Sequence, residues 1–224
     1  MDRIDYRQLY SLQDRVLSTL FGVEKEFYLT GGTCLSRFYL EKRYSDDLDL
    51  FANNSSRFSF AIKNARVALR KEFKLAPQVE SKDFFRFQID DLLQVDFVNE
   101  HSPRLKDVIV TENNFLIDNV DNIMSNKLTA VIGRDNPKDI FDIYLICSFH
   151  SFSWQEILAS AHEKAEFSNE DLIIRLKTFP GTLLKRIHCM DPHFLDNFGT
   201  ELPVIIDEIV HETDHLPGLQ PNVR

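Results

Sequence analysis

The chain lacks any apolar run approaching the roughly 18–20 residues that a membrane-spanning helix needs, so no part of it is expected to enter a bilayer. Its first residues, MDRIDYRQLYSLQDRV, carry acids and no continuous apolar stretch, and do not read as a secretory signal. Cysteine is scarce and odd in number: Cys34, Cys147 and Cys189 are scattered, and no CxxC occurs. That excludes a disulfide framework and a cysteine-based zinc site, and fits reduced thiols in a cytoplasmic protein. Positive charge is also in deficit. A formal net charge of −9 argues against a surface that grips nucleic acid all over. One local basic run remains, Arg57, Lys63, Arg66, Arg70, Lys71 and Lys74; a solvated helix face explains such a run, and an RNA-facing surface is the functional alternative. Low-complexity linkers and internal repeats are absent.

What is present is ordinary for a globular protein: 224 residues, 43% hydrophobic and 27% charged. The length suits one large domain or two small ones. Leu9, Leu12, Val16 and Leu20 have helical spacing and predict a helix over about 5–20, ended by Gly22. A strand is expected over 26–30, a helix over 33–42 and a second strand over 47–52. Asn53-Asn54-Ser55-Ser56 reads as a turn leading into a helix to about Phe73, with Phe60 and Val67 inward. Strands follow at 79–80, 84–90 and 92–98, the last apolar enough to be buried, then short ones at 108–110 and 115–117. Beyond Asn119 the pattern is helical: 121–134, 137–149, 154–164, 171–179 and 202–213. The fold class is therefore α+β, with a mixed sheet flanked by helices over residues 1–119 and a helical domain over 120–224.

The most informative stretch is GGTCLSRFYLEKRYSDDLDLF, residues 31–51. Its end alternates acid and apolar residue, so Asp47 and Asp49 share one face of a strand while Leu48 and Leu50 anchor the other; Asp46 should face away. Two adjacent carboxylates repel unless a cation lies between them. A third acid, Asp96, interrupts the apolar run Leu93-Gln94-Val95-Asp96-Phe97-Val98, where an uncompensated carboxylate is costly. If the two strands are neighbours, the three acids converge, and three carboxylates suit one or two Mg²⁺ ions. A glycine turn at a helix N-terminus offers backbone N–H groups to a phosphate. Together these describe metal-assisted phosphoryl or nucleotidyl transfer.

Gly31-Gly32, the spacer, Asp47-Leu48-Asp49-Leu50 and the later Asp96 resemble the signature of the DNA-polymerase-β-like nucleotidyltransferase superfamily. More closely, the stretch resembles the GGT…R-x-S-x-D-L/I-D-L-F block of AbiEii-type nucleotidyltransferase toxins of bacterial abortive-infection and toxin–antitoxin systems, with Arg43 near its basic position. Further on, Lys127, Arg134 and Pro137-Lys138-Asp139-Ile140-Phe141-Asp142 resemble that family's Lys…Arg…Lys-Asp-x-x-Asp arrangement on two consecutive helices. The resemblance covers about residues 27–146. It implies a nucleotidyltransferase fold whose helical domain closes a nucleotide cleft, and an NTP substrate. It implies Mg²⁺ on Asp47, Asp49 and Asp96, with Asp96 also helping to deprotonate the acceptor hydroxyl. Phosphates would be held by Gly31, Gly32 and Lys127, with Thr33, Ser45, Arg134 and Lys138 supporting them, and Asp142 would complete the polar site. The implied acceptor is RNA, a tRNA 3′ end among relatives, and the implied partner is a cognate antitoxin.

Simpler explanations exist for several of these residues. Asp47 and Asp49 could be solvent-facing residues of an edge strand, and Asp96 could pair with a basic side chain. Ser45 could merely cap the turn. Asn136-Pro137-Lys138-Asp139 is a good helix start in its own right, Lys138 and Asp142 could form an ordinary helix ion pair, and Ile140, Ile143, Tyr144 and Cys147 leave Asp142 beside the buried stripe. A nucleotide- or RNA-binding protein without turnover would share the whole pattern. A rival motif also occurs: His211-Glu212-Thr213-Asp214-His215 matches the H-E-x-x-H zinc-protease signature, with Gly218 extending it. The next ligand position would fall on Pro221, which cannot bind metal, and Leu216-Pro217-Gly218 breaks the helix, so a fortuitous surface pair is the expectation.

Overall fold

The computed structural model describes residues 4–217; Gly218 and Pro221 of the protease-like motif lie outside them. The chain divides into two compact units. The first holds the residues up to Cys34 with Tyr44–Pro103 and Asp107–Asn119; the second holds Leu35–Arg43, Arg104–Lys106 and everything from Val120 onward.

In the first unit, α1 (Tyr6–Phe21) is capped by the Asp5 carboxylate, which accepts from the Arg7 and Gln8 amides. Strand β1 (Tyr28–Thr30) is shorter than expected and runs directly into α2 (Gly31–Phe38), whose residues from Leu35 onward count with the second unit. This helix begins on the glycine pair rather than after it. It stops at Phe38, where the Leu40 amide wraps back to the Leu35 carbonyl at 2.8 Å. Then come β2 (Asp47–Asn53), α3 (Phe58–Leu69), the hairpin β3 (Leu75–Glu80) and β4 (Phe84–Ile89), β5 (Leu93–Glu100), and the short β6 (Ile109–Val110) and β7 (Leu116–Ile117). Among the described residues they form one seven-stranded mixed sheet in the order β3-β4-β5-β2-β1-β7-β6. The β2–β5 and β1–β7 pairs are parallel and the others antiparallel. Neighbouring parallel strands need a crossover, which α3 and the β3–β4 hairpin provide for β2 and β5.

The alternation in β2 does what the sequence implies. Leu48 and Leu50 are fully buried, beside Val95, Phe97 and Phe27, whose ring stands 4.9 Å from that of Phe97. The buried faces of α1 (Leu9, Val16, Leu17, Leu20) and α3 (Ala61, Ala65, Leu69) complete this core. The expectation that Phe60 and Val67 point inward is wrong: they are 55% and 60% exposed. Seven residues apart, they share one helical stripe, and the buried stripe is instead Phe58, Ala61, Ile62, Ala65, Ala68 and Leu69. Phe60 lies under the Arg57 guanidinium, 5.6 Å from its ring centre.

The second unit consists of α4 (Val120–Gly133), α5 (Pro137–Phe149), α6 (Trp154–Lys164), α7 (Asn169–Thr178), a 3₁₀ turn (Gly181–Arg186) and α8 (Phe198–His211). A two-residue strand pair, β8 (Phe152–Ser153) with β9 (Asp214–His215), was not foreseen. Helix α5 is capped by Asn136, whose side chain accepts from the Lys138 amide, with Pro137 at the first helical position. Among the described residues no helix is long and apolar enough to cross a membrane.

Candidate active site

The register of the sheet brings the first-unit acids together. Asp49 pairs with Asp96 across the parallel β2–β5 ladder, and Asp47, two residues earlier, shares their face. On the far flank Thr30 pairs with Asp49; on the near flank Arg86 of β4 pairs with Asp96. One row therefore crosses four strands: Thr30, Asp49, Asp96, Arg86. Adjacent strands are about 4.8 Å apart, which leaves the Asp49 and Asp96 carboxylates within mutual repulsion. Both Asp96 oxygens accept from Arg86, at 2.7 Å from Nε and 2.6 Å from a terminal nitrogen, and Gln94 donates to one of them at 3.3 Å. The neighbouring acids act on Arg86 in turn: its hydrogen bonds to Asp96 come first, burial opposes them, and Asp96, Asp49 and Asp47 add their charge, holding the guanidinium above its usual range.

The glycine turn meets this row directly. Gly31 has φ +70°, a conformation that L side chains rarely adopt. A Cβ placed there would come within 3.2 Å of Asp49 Cγ, and closer still to its Oδ2. The backbone that opens α2 thus lies against the Asp49 carboxylate, and only glycine allows the approach. Gly31→Ala is expected to abolish activity while leaving most of the helix content intact, measured by circular dichroism beside a turnover assay; full activity would show that the turn tolerates displacement.

Behind the turn, Thr33 and Ser45 are buried. The Thr33 hydroxyl lies 2.5 Å from the Asp47 carbonyl and 2.8 Å from Ser45 Oγ. Gln13 donates to the Ser45 carbonyl, and the Ser45 amide donates to the Tyr10 hydroxyl. These contacts fix the start of β2 against α1 and α2. Asp46, just before β2, accepts from Tyr6 of α1 at 2.9 Å.

Comparison with known proteins decides what this arrangement belongs to. The family model described as nucleotidyl transferase AbiEii toxin, type IV toxin–antitoxin system, matches residues 15–195. The chain belongs to the AbiEii family. As a member it is a nucleotidyltransferase, acting on an NTP, of a toxin family whose type IV toxin–antitoxin systems include an antitoxin partner. A protein of Aquifex aeolicus (strain VF5), aq_aa25, is 29% identical over 161 residues, 70% of this chain and 74% of its own length. JHP933 from Helicobacter pylori shares the fold with a TM-score of 0.57 at 18% identity, covering 94% of this chain and 96% of that one. A second H. pylori structure, put forward as a nucleotidyltransferase, has a TM-score of 0.58 at 19% identity, covering 94% and 98%. The mixed sheet described above is thus an AbiEii nucleotidyltransferase sheet.

In this AbiEii chain the second unit holds its own charge cluster. Arg43 is buried and grips Asp142 with two hydrogen bonds, 2.7 and 2.8 Å long. Lys127 stands 2.8 Å from both Asp139 and Asp142, and Arg134 holds Asp139 at 2.6 and 3.0 Å. Asp142 is fully buried, not beside the buried stripe, and its partners are Arg43 and Lys127 rather than Lys138. Burial alone would raise the Asp142 carboxyl, but Arg43 and Lys127 outweigh it and hold the group at about 2. Burial likewise opposes ionisation of Asp139, and Lys127 and Arg134 bring its pKa below the usual value. Both acids are depressed relative to an unfolded carboxyl, so their stabilisation is complete above the unfolded value of 3.8 and is lost as pH falls toward about 2. Thermal melts should therefore show Tm falling across this window, and less steeply in Asp142→Asn; an equal slope in the variant would discount the cluster.

Among the described residues no three His, Cys, Asp or Glu side chains form a ready cation site. In the acidic row both oxygens of Asp96 are bonded to Arg86. The donor chemistry still fits a divalent cation, since Asp47 and Asp49 share a face, Asp96 adjoins them in register, and a positive group already stands among them. The H-E-x-x-H motif does not fit. His211 sits at the exposed end of α8, whereas His215 is buried in β9 with its ring nitrogens 2.5 Å from Glu208 and 2.6 Å from the Cys147 carbonyl. The histidines are therefore not a surface pair: His215 ties β9 to the helices.

The residue that sequence reasoning missed is Arg86. Its signal was present in the hairpin turn, where Asp90 and Asp91 have positive φ values and set the register that pairs Arg86 with Asp96.

Proposed function

We propose that the protein transfers a nucleoside monophosphate from an NTP to an RNA hydroxyl, a tRNA 3′ end, and that this is its toxic act in the cytoplasm of a bacterium carrying an abortive-infection system. The observation that supports this best is the row in which Asp49 and Asp96 stand in register, with the backbone of Gly31 against Asp49. Asp47, Asp49 and Asp96 would hold Mg²⁺, which supplies charge neutralisation at the attacking and leaving oxygens. Gly31 and Gly32, opening α2, offer backbone N–H groups to the triphosphate, and Thr33 and Ser45 hold that turn in place. Asp96 takes the proton of the acceptor hydroxyl. In the helical unit, Lys127, which holds Asp139 and Asp142, is the phosphate-binding candidate the family resemblance implies, with Arg134 and Lys138 supporting it.

The test is transfer of label from each of the four NTPs to total tRNA, with and without Mg²⁺. Mg²⁺-dependent labelling by at least one NTP is expected. Binding of NTP with no transfer to any RNA would leave a nucleotide-binding role and overturn the acceptor assignment.

A further inference from the structure

Arg86 has no part in the mechanism above, yet it is bound directly to one of its acids. It lies in the acid row by strand register, its guanidinium takes both oxygens of Asp96, and its side chain is 33% exposed. Three carboxylates on one face repel one another, so a nucleotide-free site needs a counter-charge. Arg86 provides it from within the fold. A divalent cation that recruits Asp96 must compete with that bidentate pair. The same planar fork binds phosphate as readily as carboxylate, and a triphosphate arriving over the row brings such oxygens.

We propose that Arg86 is an internal stand-in for the metal that makes cation binding conditional on the nucleotide: it holds Asp96 in the free protein and passes to the triphosphate when NTP enters, releasing Asp96. This rests on the reading of Asp47, Asp49 and Asp96 as the divalent-cation site. No bond is made or broken in the exchange; one bidentate ion pair replaces another. Arg86 acts as a positioning residue, through Asp96 and the phosphates.

The experiment titrates Mn²⁺ into nucleotide-free protein and follows free Mn²⁺ by electron paramagnetic resonance, for wild type, Arg86→Gln, Arg86→Lys and Asp49→Asn/Arg86→Gln. Removing the cation should tighten Mn²⁺ binding roughly tenfold, with Arg86→Lys between wild type and Arg86→Gln. A non-hydrolysable NTP should bind Arg86→Gln more weakly than wild type. A purely structural role would loosen the site and weaken both. Mn²⁺ binding in a folded Arg86→Gln that is unchanged or weaker overturns the proposal; if Arg86→Gln melts early, Arg86→Lys with wild-type Mn²⁺ affinity does the same. Should the gain survive in the double variant, the ion lies away from Asp49, and the acid-site reading itself fails.

Discussion

Asp49→Asn should reduce nucleotidyl transfer by roughly a thousandfold or more while the protein still folds, because on the proposed reading a cation ligand is lost where charge develops. The amide keeps the shape of the carboxylate, so the close contact with Gly31 is preserved. Leu48 and Leu50, which hold β2 in the core, are untouched. Asp46→Asn is the matched control: it stands just before β2, three residues from Asp49, and accepts from Tyr6, so it should keep activity near wild type. The checks are label transfer to RNA, growth inhibition on expression, and a thermal melt. Wild-type transfer by Asp49→Asn would remove the acidic row from the mechanism altogether.

Asp142→Ala should lower stability by roughly 3–5 kcal/mol, since it strands the buried guanidinium of Arg43 and one side of the Lys127 ammonium. At about 2–4 °C per kcal/mol for a chain of this size, a Tm loss on the order of 10 °C follows. The asymmetry of buried ion pairs sharpens the test. Replacing the three partners together, as Arg43→Met/Asp142→Leu/Lys127→Met, removes their desolvation cost along with their attraction and should recover part of the loss, with Asp139 kept ionised by Arg134 alone. If the triple variant is as unstable as Asp142→Ala, the cluster does more than balance its own charges. Activity should not return in the triple variant, because Lys127 is gone; recovery of both would dismiss Lys127 from phosphate binding.

How much of this was legible depended on the distance over which a pattern must be read. Asp47 and Asp49 declare themselves within four residues, because a strand's period is two. Asp96 does so because one acid in an apolar run demands a reason. Arg43 and Asp142 are separated by 99 positions, and no local period joins them; only the resemblance named both. Asp142 was misjudged because α5 is buried nearly all round, with Phe141 and Leu145 as inaccessible as Ile140 and Ile143, so a one-sided stripe is the wrong template. Phe60 and Val67 failed for the opposite reason: small alanines, not the large residues, face the sheet on α3. His215 misled because the sequence past Thr213 shows no strand period; Asp214–His215 nevertheless form a two-residue strand, and His215 is buried rather than on the surface.

The turn at Asp90 and Asp91 has a consequence for how such a protein can vary. Length changes in exposed turns are usually tolerated, since they alter only the loop. This one sets which residue of β4 stands beside Asp96. A single inserted or deleted residue that slipped the β4 register would send every β4 side chain to the other face of the sheet. Arg86 would then leave the acid row and Phe85 or Phe87 would take its place. A change on the rim of the sheet, touching none of the acids, would thus alter the charge balance among them.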